Sequence, residues 1–258
     1  METFPTENCP VTVVRTPAAK YAAGENHLIR MVLSGCGAAT DETTAVLLRP
    51  GTAVLIRPDE SPRIEMLTDA MFLDFYFNAE TAALMKSGAP SFAEHHTRQI
   101  SAAELEQVKI LGNDICSERQ AGKPGYPLAA LEKLLSLARL LFQDGKPDGK
   151  RERKIAESLL FMAENYSRDI TLGDLGEFTG MSISYYRRSF RQLLGISAID
   201  CLLNYRLLQA GRSLRETDLP IAAVAAESGF NDANYFSRIF SRRKGMNPRE
   251  WRRLSRKK

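Results

Sequence analysis

Residues 171–191 and 219–241 are two copies of one pattern. Leu175 aligns with Val224 and Gly180 with Gly229, each pair 49 residues apart, while Arg188 aligns with Arg238 and Phe190 with Phe240 at a separation of 50. Each copy reads as a short helix, a glycine turn and a second helix. A repeat constrains the fold more than composition does, because each unit must offer an equivalent apolar face to a shared core. The local chemistry agrees. Thr171 and Asp174 form a capping-box pattern ahead of the first short helix, and Asp218 and Pro220 mark the start of its counterpart. Gly180 and Gly229 stand where the chain must turn at positive φ. Ser182, and Asn231 or Asp232, are the expected caps of the second helices.

This is helix-turn-helix geometry, in which the second helix of a pair enters the DNA major groove. Charge points the same way. The chain of 258 residues has a net charge of only +4, yet residues 150–258 carry 21 basic and 12 acidic side chains. The basic half suits nucleic acid and the acidic half does not. On the second helix of copy one, Tyr186 and Phe190 share an inward face, leaving Ser184, Arg187, Arg188 and Arg191 on the other. In copy two, Phe236 and Phe240 turn inward, opposite Ala233, Asn234, Ser237 and Arg238. Arginine forks onto guanine, asparagine pairs with adenine, serine bonds a base or a phosphate, and an alanine methyl meets thymine. Ser184, Arg187, Arg188, Ala233, Asn234, Ser237 and Arg238 are therefore the candidate base readers. Arg191, Arg242, Arg243 and Lys244 are the candidate phosphate contacts. The basic tail 252–258 either adds nonspecific attraction to DNA or stays disordered.

Residues 153–254 resemble the DNA-binding domain of the AraC/XylS family of bacterial transcription regulators. The most specific stretch runs from Ile221 through Glu227-Ser-Gly-Phe-Asn-Asp-Ala-Asn-Tyr-Phe-Ser-Arg-Ile-Phe240, then through Gly245, Pro248, Trp251 and Arg252. The resemblance implies seven helices, with two helix-turn-helix units (171–194 and 219–244) joined by a long helix near 197–214. It also implies DNA contacts at the positions above and a further partner in RNA polymerase. One departure is Gly176, where members usually have alanine; a helical glycine there costs about 1 kcal/mol of propensity.

Before residue 100 the pattern differs. Val11–Val14, His27–Leu33, Ala45–Arg49, Ala53–Arg57 and Met71–Phe77 read as short strands separated by glycine and proline clusters, as in an antiparallel sandwich or barrel. Leu105, Val108, Leu111, Gly112 and Ile115 then recur at helical spacing. A second helix carries Leu128, Leu131, Leu135, Ala138 and Phe142 at steps of 3 and 4. That stripe serves either contact between two subunits or packing on the domain's own sheet. Residues 143–152 contain no apolar side chain and read as a linker. The expected architecture is α+β in two domains: a cupin-like barrel with two helices over residues 1–142, and an all-helical double helix-turn-helix domain over 153–258.

The strand pattern resembles, loosely, the cupin-like sensor of the sugar-responsive branch of the family. That likeness implies a small sugar-like effector inside the barrel and a homodimer through the following helices. Arg15, His27, Arg30 and Tyr76 are the polar candidates for an effector pocket. The expected function is an effector-responsive activator of a metabolic operon. A regulator governed by a protein partner or by abundance, and a cupin-type enzyme fused to a DNA-binding domain, are the other readings. The enzyme would need a metal site, and the chain has three histidines, of which only His27 falls on a strand. No catalytic residue, metal or cofactor is expected. Cys9, Cys36, Cys116 and Cys201 show no metal-ligand spacing, and no apolar run approaches the roughly 18 residues that span a bilayer. A cytoplasmic protein acting on the nucleoid is expected.

Overall fold

The computed structural model of the chain describes residues 11–17, 25–40, 44–88, 97–120, 126–142 and 149–256. It divides into two compact units, Met1–Ala156 and Glu157–Lys258.

The first unit holds strands β1 (Val11–Thr16), β2 (His27–Ser34), β3 (Gly37–Thr40), β4 (Ala45–Leu48), β5 (Thr52–Ile56), β6 (Arg63–Met66), β7 (Met71–Phe77) and β8 (Thr97–Gln99), with helices α1 (Ala79–Gly88), α2 (Ala102–Gln120) and α3 (Tyr126–Phe142). Among the described residues the strands form two separate antiparallel sheets, β1-β7-β2-β5-β8 and β4-β3-β6, and not one closed barrel.

The larger sheet is buried on both faces, which explains its nearly continuous apolar strands. Ile29, Met31, Ala53, Leu55, Leu73, Phe75 and Phe77 point one way and pack with Met85, Val108, Ile115, Leu134, Leu137 and Leu141 of the helices. Gly112 lets α2 lie close on this face, since a Cβ there would come 2.8 Å from Leu73 Cδ2. Residues of opposite parity, Leu28, Val32, Val54, Ile56, Phe72 and Tyr76, pack with Ala39, Leu48 and Met66 of the smaller sheet.

On α3 the buried face takes in Leu134 and Leu141, which widen the stripe of residues 128–142. Ala130, Leu134, Leu137, Ala138 and Leu141 are the residues buried in the core. Of the expected contact residues, Ala138 belongs to this core, Leu131 and Leu135 are half-buried, and Leu128 is 71% exposed. The side chain of Phe142 lies outside the described ones.

The second unit is helical: α4 (Lys150–Asn165), within which the division falls, then α5 (Leu172–Thr179), α6 (Ile183–Leu194), α7 (Ala198–Glu216), α8 (Ile221–Glu227), α9 (Ala233–Lys244) and α10 (Pro248–Ser255). Residues 143–148 of the expected linker lie outside the described ones, and Lys150–Glu152 already belong to the first turn of α4.

Candidate nucleic-acid interface

The two repeats close their turns identically. The N–H of Gly180 donates to Glu177 and that of Met181 to Gly176, while Gly229 donates to Ala226 and Phe230 to Ala225. This paired pattern is a Schellman motif, which requires a left-handed residue after the helix. Gly180 and Gly229 supply it at φ +61° and +81°. The second turn has one extra residue: the caps are Ser182 in the first copy and Asp232 in the second. That insertion changes the spacing of the copies from 49 to 50. The repeat then runs on, through Gly195 and Gly245 at φ +75° and +74° to the caps Ser197 and Asn247.

Thr171 and Asp174 make the expected capping box. Asp218 does not cap α8; its carboxylate pairs with Arg256 at 2.6 Å, and Pro220 takes the cap position with no side-chain bond. Gly176 answers to geometry as well as propensity, because a Cβ there would come 2.9 Å from the carbonyl oxygen of Met181.

Helices α6 and α9 are anchored by buried aromatics and leave the opposite side bare. Tyr186 and Phe190 are fully buried, and the Tyr186 hydroxyl shares a 2.9 Å hydrogen bond with Ser158 of α4. Burial pushes the Tyr186 phenol far above its ordinary value, so it stays neutral. On the other side of α6, Ser184, Arg187, Arg188 and Arg191 are all exposed, and with Gln192 and Ser197 they line one cleft of about 570 Å³. Gln192 and Ser197 were not singled out in the sequence. Gln192 lies four residues after Arg188, a spacing that puts both on one face.

On α9 the core residues are Phe236, Ile239 and Phe240, with Phe240 edge-on to Trp251 of α10. Asn234, Arg238, Arg242 and Arg243 are exposed. Ala233 and Ser237 are half-buried, and the Ser237 hydroxyl donates to the Ala233 carbonyl at 2.9 Å, so this pair is less available than Asn234 and Arg238. Arg243 reaches Asp200 of α7 at 3.2 Å, and Lys244 sits 5.8 Å from the Trp251 ring.

The basic tail departs from expectation. Arg252 donates to the carbonyls of Leu214 and Leu219, and Arg256 to those of Arg215 and Thr217. These are orphan carbonyls at and beyond the end of α7, so both arginines cap a helix and secure α10.

Of the effector candidates, Arg30 and Tyr76 share one face of the larger sheet and His27 lies on the other. Arg30 and Asp74, cross-strand partners in β2 and β7, are 1% and 0% exposed and form a two-pronged ion pair at 2.9 and 2.6 Å, with the guanidinium 4.5 Å from the Phe72 ring. Tyr76 shares their parity and is buried between the sheets. His27 is stacked on Phe77, which faces the helices. Arg15 pairs with Leu73 through its backbone, and its side chain lies outside the described ones. His95 and His96 also fall outside the described residues.

Two helix-turn-helix units in one helical body, each with a bare face bearing arginine, define a DNA-binding protein of the double helix-turn-helix class. A family described as "Helix-turn-helix domain" matches residues 175–254. The chain is 25% identical over 259 residues to the HTH-type transcriptional activator RhaS of Pectobacterium carotovorum, covering 94% of this chain and 92% of that one. It is 33% identical over 156 residues to the HTH-type transcriptional activator RhaR of Klebsiella pneumoniae, covering 60% and 56%. Among solved structures, the DNA-binding domain of AdpA in complex with a target DNA is 28% identical with a TM-score of 0.39, covering 40% of this chain and 93% of that one. Residues 175–254 thus form a helix-turn-helix domain of that family, and over nearly its whole length the chain is similar to the activator RhaS. No helix among the described residues is long and apolar enough to cross a membrane.

Proposed function

We propose that the chain is an effector-responsive transcription activator that grips operator DNA with α6 and α9 in two successive major grooves. The repeated bare face carries the reading: Arg187, Arg188 and Arg191 on one helix, Asn234 and Arg238 on the other, each opposite a buried aromatic pair. Ser184, Arg187, Arg188, Asn234 and Arg238 read base edges; Ala233 and Ser237 contribute less because they are half-buried. Arg191, Arg242, Arg243 and Lys244 hold phosphates. Activation follows from the likeness to the transcriptional activators RhaS and RhaR, and RNA polymerase is its partner.

The effector site is a cleft of about 600 Å³ in the sheet unit, edged by Thr40, Thr44, Asp59, Ser61, Arg63 and Thr97. Its hydroxyls and charges suit a small polar, sugar-like molecule better than the buried Arg30–Asp74 pair does. The exposed edge of α3 around Leu128, with Leu131 and Leu135, joins two subunits; the two chains then bind two sites with gained avidity.

Base reading and phosphate holding separate in one experiment on a duplex enriched from a random pool with the full chain. Arg238→Ala should lose about 1–3 kcal/mol on that duplex and relax the choice at one base pair. Arg243→Ala should weaken all duplexes evenly and lower the salt slope by about one unit. Its pairing with Asp200 is exposed and contributes little in the free protein. Unchanged base preference for Arg238→Ala would overturn the assignment.

A further inference from the structure

Tyr235 is the third residue of α9 and is 42% exposed, although the helix's apolar anchors are Phe236 and Phe240. Its ring has a neighbour on each side. Toward the core stands Phe230 of the turn, with centroids 6.4 Å apart and the rings tilted by 46°. Phe230 is itself buried and packs on Phe236 at 5.0 Å. Toward solvent stands Arg238, one helical turn on, with its guanidinium carbon 5.8 Å from the Tyr235 centroid. The cap residue Asp232 accepts from the N–H groups of Asn234 and Tyr235 at 2.7 and 3.0 Å, and its carboxylate lies near enough for Arg238 to act on it. A chain of contacts thus runs from the core through two rings to an arginine on the bare face.

We propose that Tyr235 is a positioning residue for base recognition: its ring holds the Arg238 guanidinium so that the planar fork meets guanine already oriented. The proposal rests on α9 being the helix that reads bases. The physical argument is pre-organisation. An arginine in water samples many rotamers and loses that freedom on docking, whereas one held against an aromatic face loses less. The repeat has the same two residue types fifty residues earlier in sequence: Tyr185 is 47% exposed, and Arg188 follows it by three residues. Neither tyrosine is among the buried core residues, which include the Tyr186–Phe190 and Phe236–Phe240 pairs.

The test is a double-mutant cycle with the full chain, using the enriched duplex and its single-base variants. Tyr235→Leu should weaken the enriched duplex by about two- to fivefold, the range of an exposed cation–π contact. It should also relax preference at the same base pair as Arg238→Ala and leave the thermal midpoint in place. Tyr235→Phe should behave as wild type. Tyr235→Met, which covers Phe230 without a π face, should repeat the leucine result and guards against a folding defect. In the Arg238→Ala background, Tyr235→Leu should add no further loss. An undiminished loss in that background would overturn the proposal, and so would a Phe variant as impaired as the Leu variant, because the hydroxyl would then touch DNA itself. If Arg238→Ala leaves base preference unchanged, α9 is not the reader, and the failure belongs to that reading.

Discussion

Arg206 and Gly229 are in close apposition: a Cβ at Gly229 would stand 2.9 Å from the Arg206 Nε. The same guanidinium, on α7, donates to the carbonyls of Tyr166 and Arg168 at 2.7 and 2.6 Å, just beyond the end of α4. One arginine therefore satisfies carbonyls ahead of the first repeat while the turn of the second repeat packs against it. Gly229 is fixed by this approach as well as by its backbone angle.

Two alanine substitutions separate those causes. Gly195→Ala meets open space and should lose only the cost of a left-handed backbone, about 1–2 kcal/mol. Gly229→Ala carries the same cost and also drives a methyl to 2.7 Å from the Tyr166 carbonyl oxygen, so it should lose clearly more. Urea unfolding followed by the fluorescence of Trp251, the chain's one tryptophan, reports on the helical unit. Equal losses would show that the close approach of Tyr166 and Arg206 to Gly229 has no energetic weight.

The buried pair in the sheet unit makes a second prediction. Asp74→Ala leaves the Arg30 guanidinium buried without its carboxylate and should cost about 3–5 kcal/mol. Replacing both partners, Arg30→Met with Asp74→Leu, should restore most of that stability, because the surroundings are apolar. Urea unfolding followed by far-ultraviolet dichroism checks both. A loss below about 1 kcal/mol for Asp74→Ala would mean that water reaches the site.

The third prediction concerns acid. Asp174 is held below the usual carboxylate range by the Thr171 N–H and then its hydroxyl, and Asp232 by the N–H groups of Tyr235 and Asn234. Asp218 is lowered by its hydrogen bond from Arg256. A carboxyl with a depressed folded-state pKa stabilises the fold above its unfolded value, near 3.9, and that contribution is lost as pH falls through the folded value. Residues 157–258 contain no histidine. The Trp251-detected midpoint should therefore stay level from about pH 5 to 8 and fall below about pH 4. Asp232→Asn, which still caps, should flatten part of the fall. A midpoint that drops between pH 5 and 7 would contradict this assignment.

The parts of the fold written in local chemistry were legible beforehand: the capping box at Thr171, the positive φ of Gly180 and Gly229, and the inward aromatic pairs of α6 and α9. Each is decided within one or two turns of chain. The strands β3, β6 and β8 were not, because Gly37–Thr40, Arg63–Met66 and Thr97–Gln99 are short and lack a clear alternation; pairing defines them. Which residues of α3 pack on the sheet was not legible for a related reason. Its apolar residues cover two adjacent stripes, and only the sheet beneath selects Ala130, Leu134, Leu137 and Leu141. The ion pair of Arg30 was hidden too, because nothing local reveals Asp74, 44 residues away, as its partner. The capping roles of Arg252 and Arg256 were hidden likewise, in carbonyls 33 to 41 residues earlier.

The proposed mode of action is that one chain reads DNA with two helices. Its most direct test is hydroxyl-radical and base-methylation footprinting of the full chain on a duplex enriched from a random pool, compared with Arg188→Ala and Arg238→Ala. The account predicts two protected major-groove segments on one face of the duplex, about one helical turn or 10 bp apart. Each substitution should release guanine protection in a different segment. A single protected segment, or both substitutions releasing the same one, would contradict it.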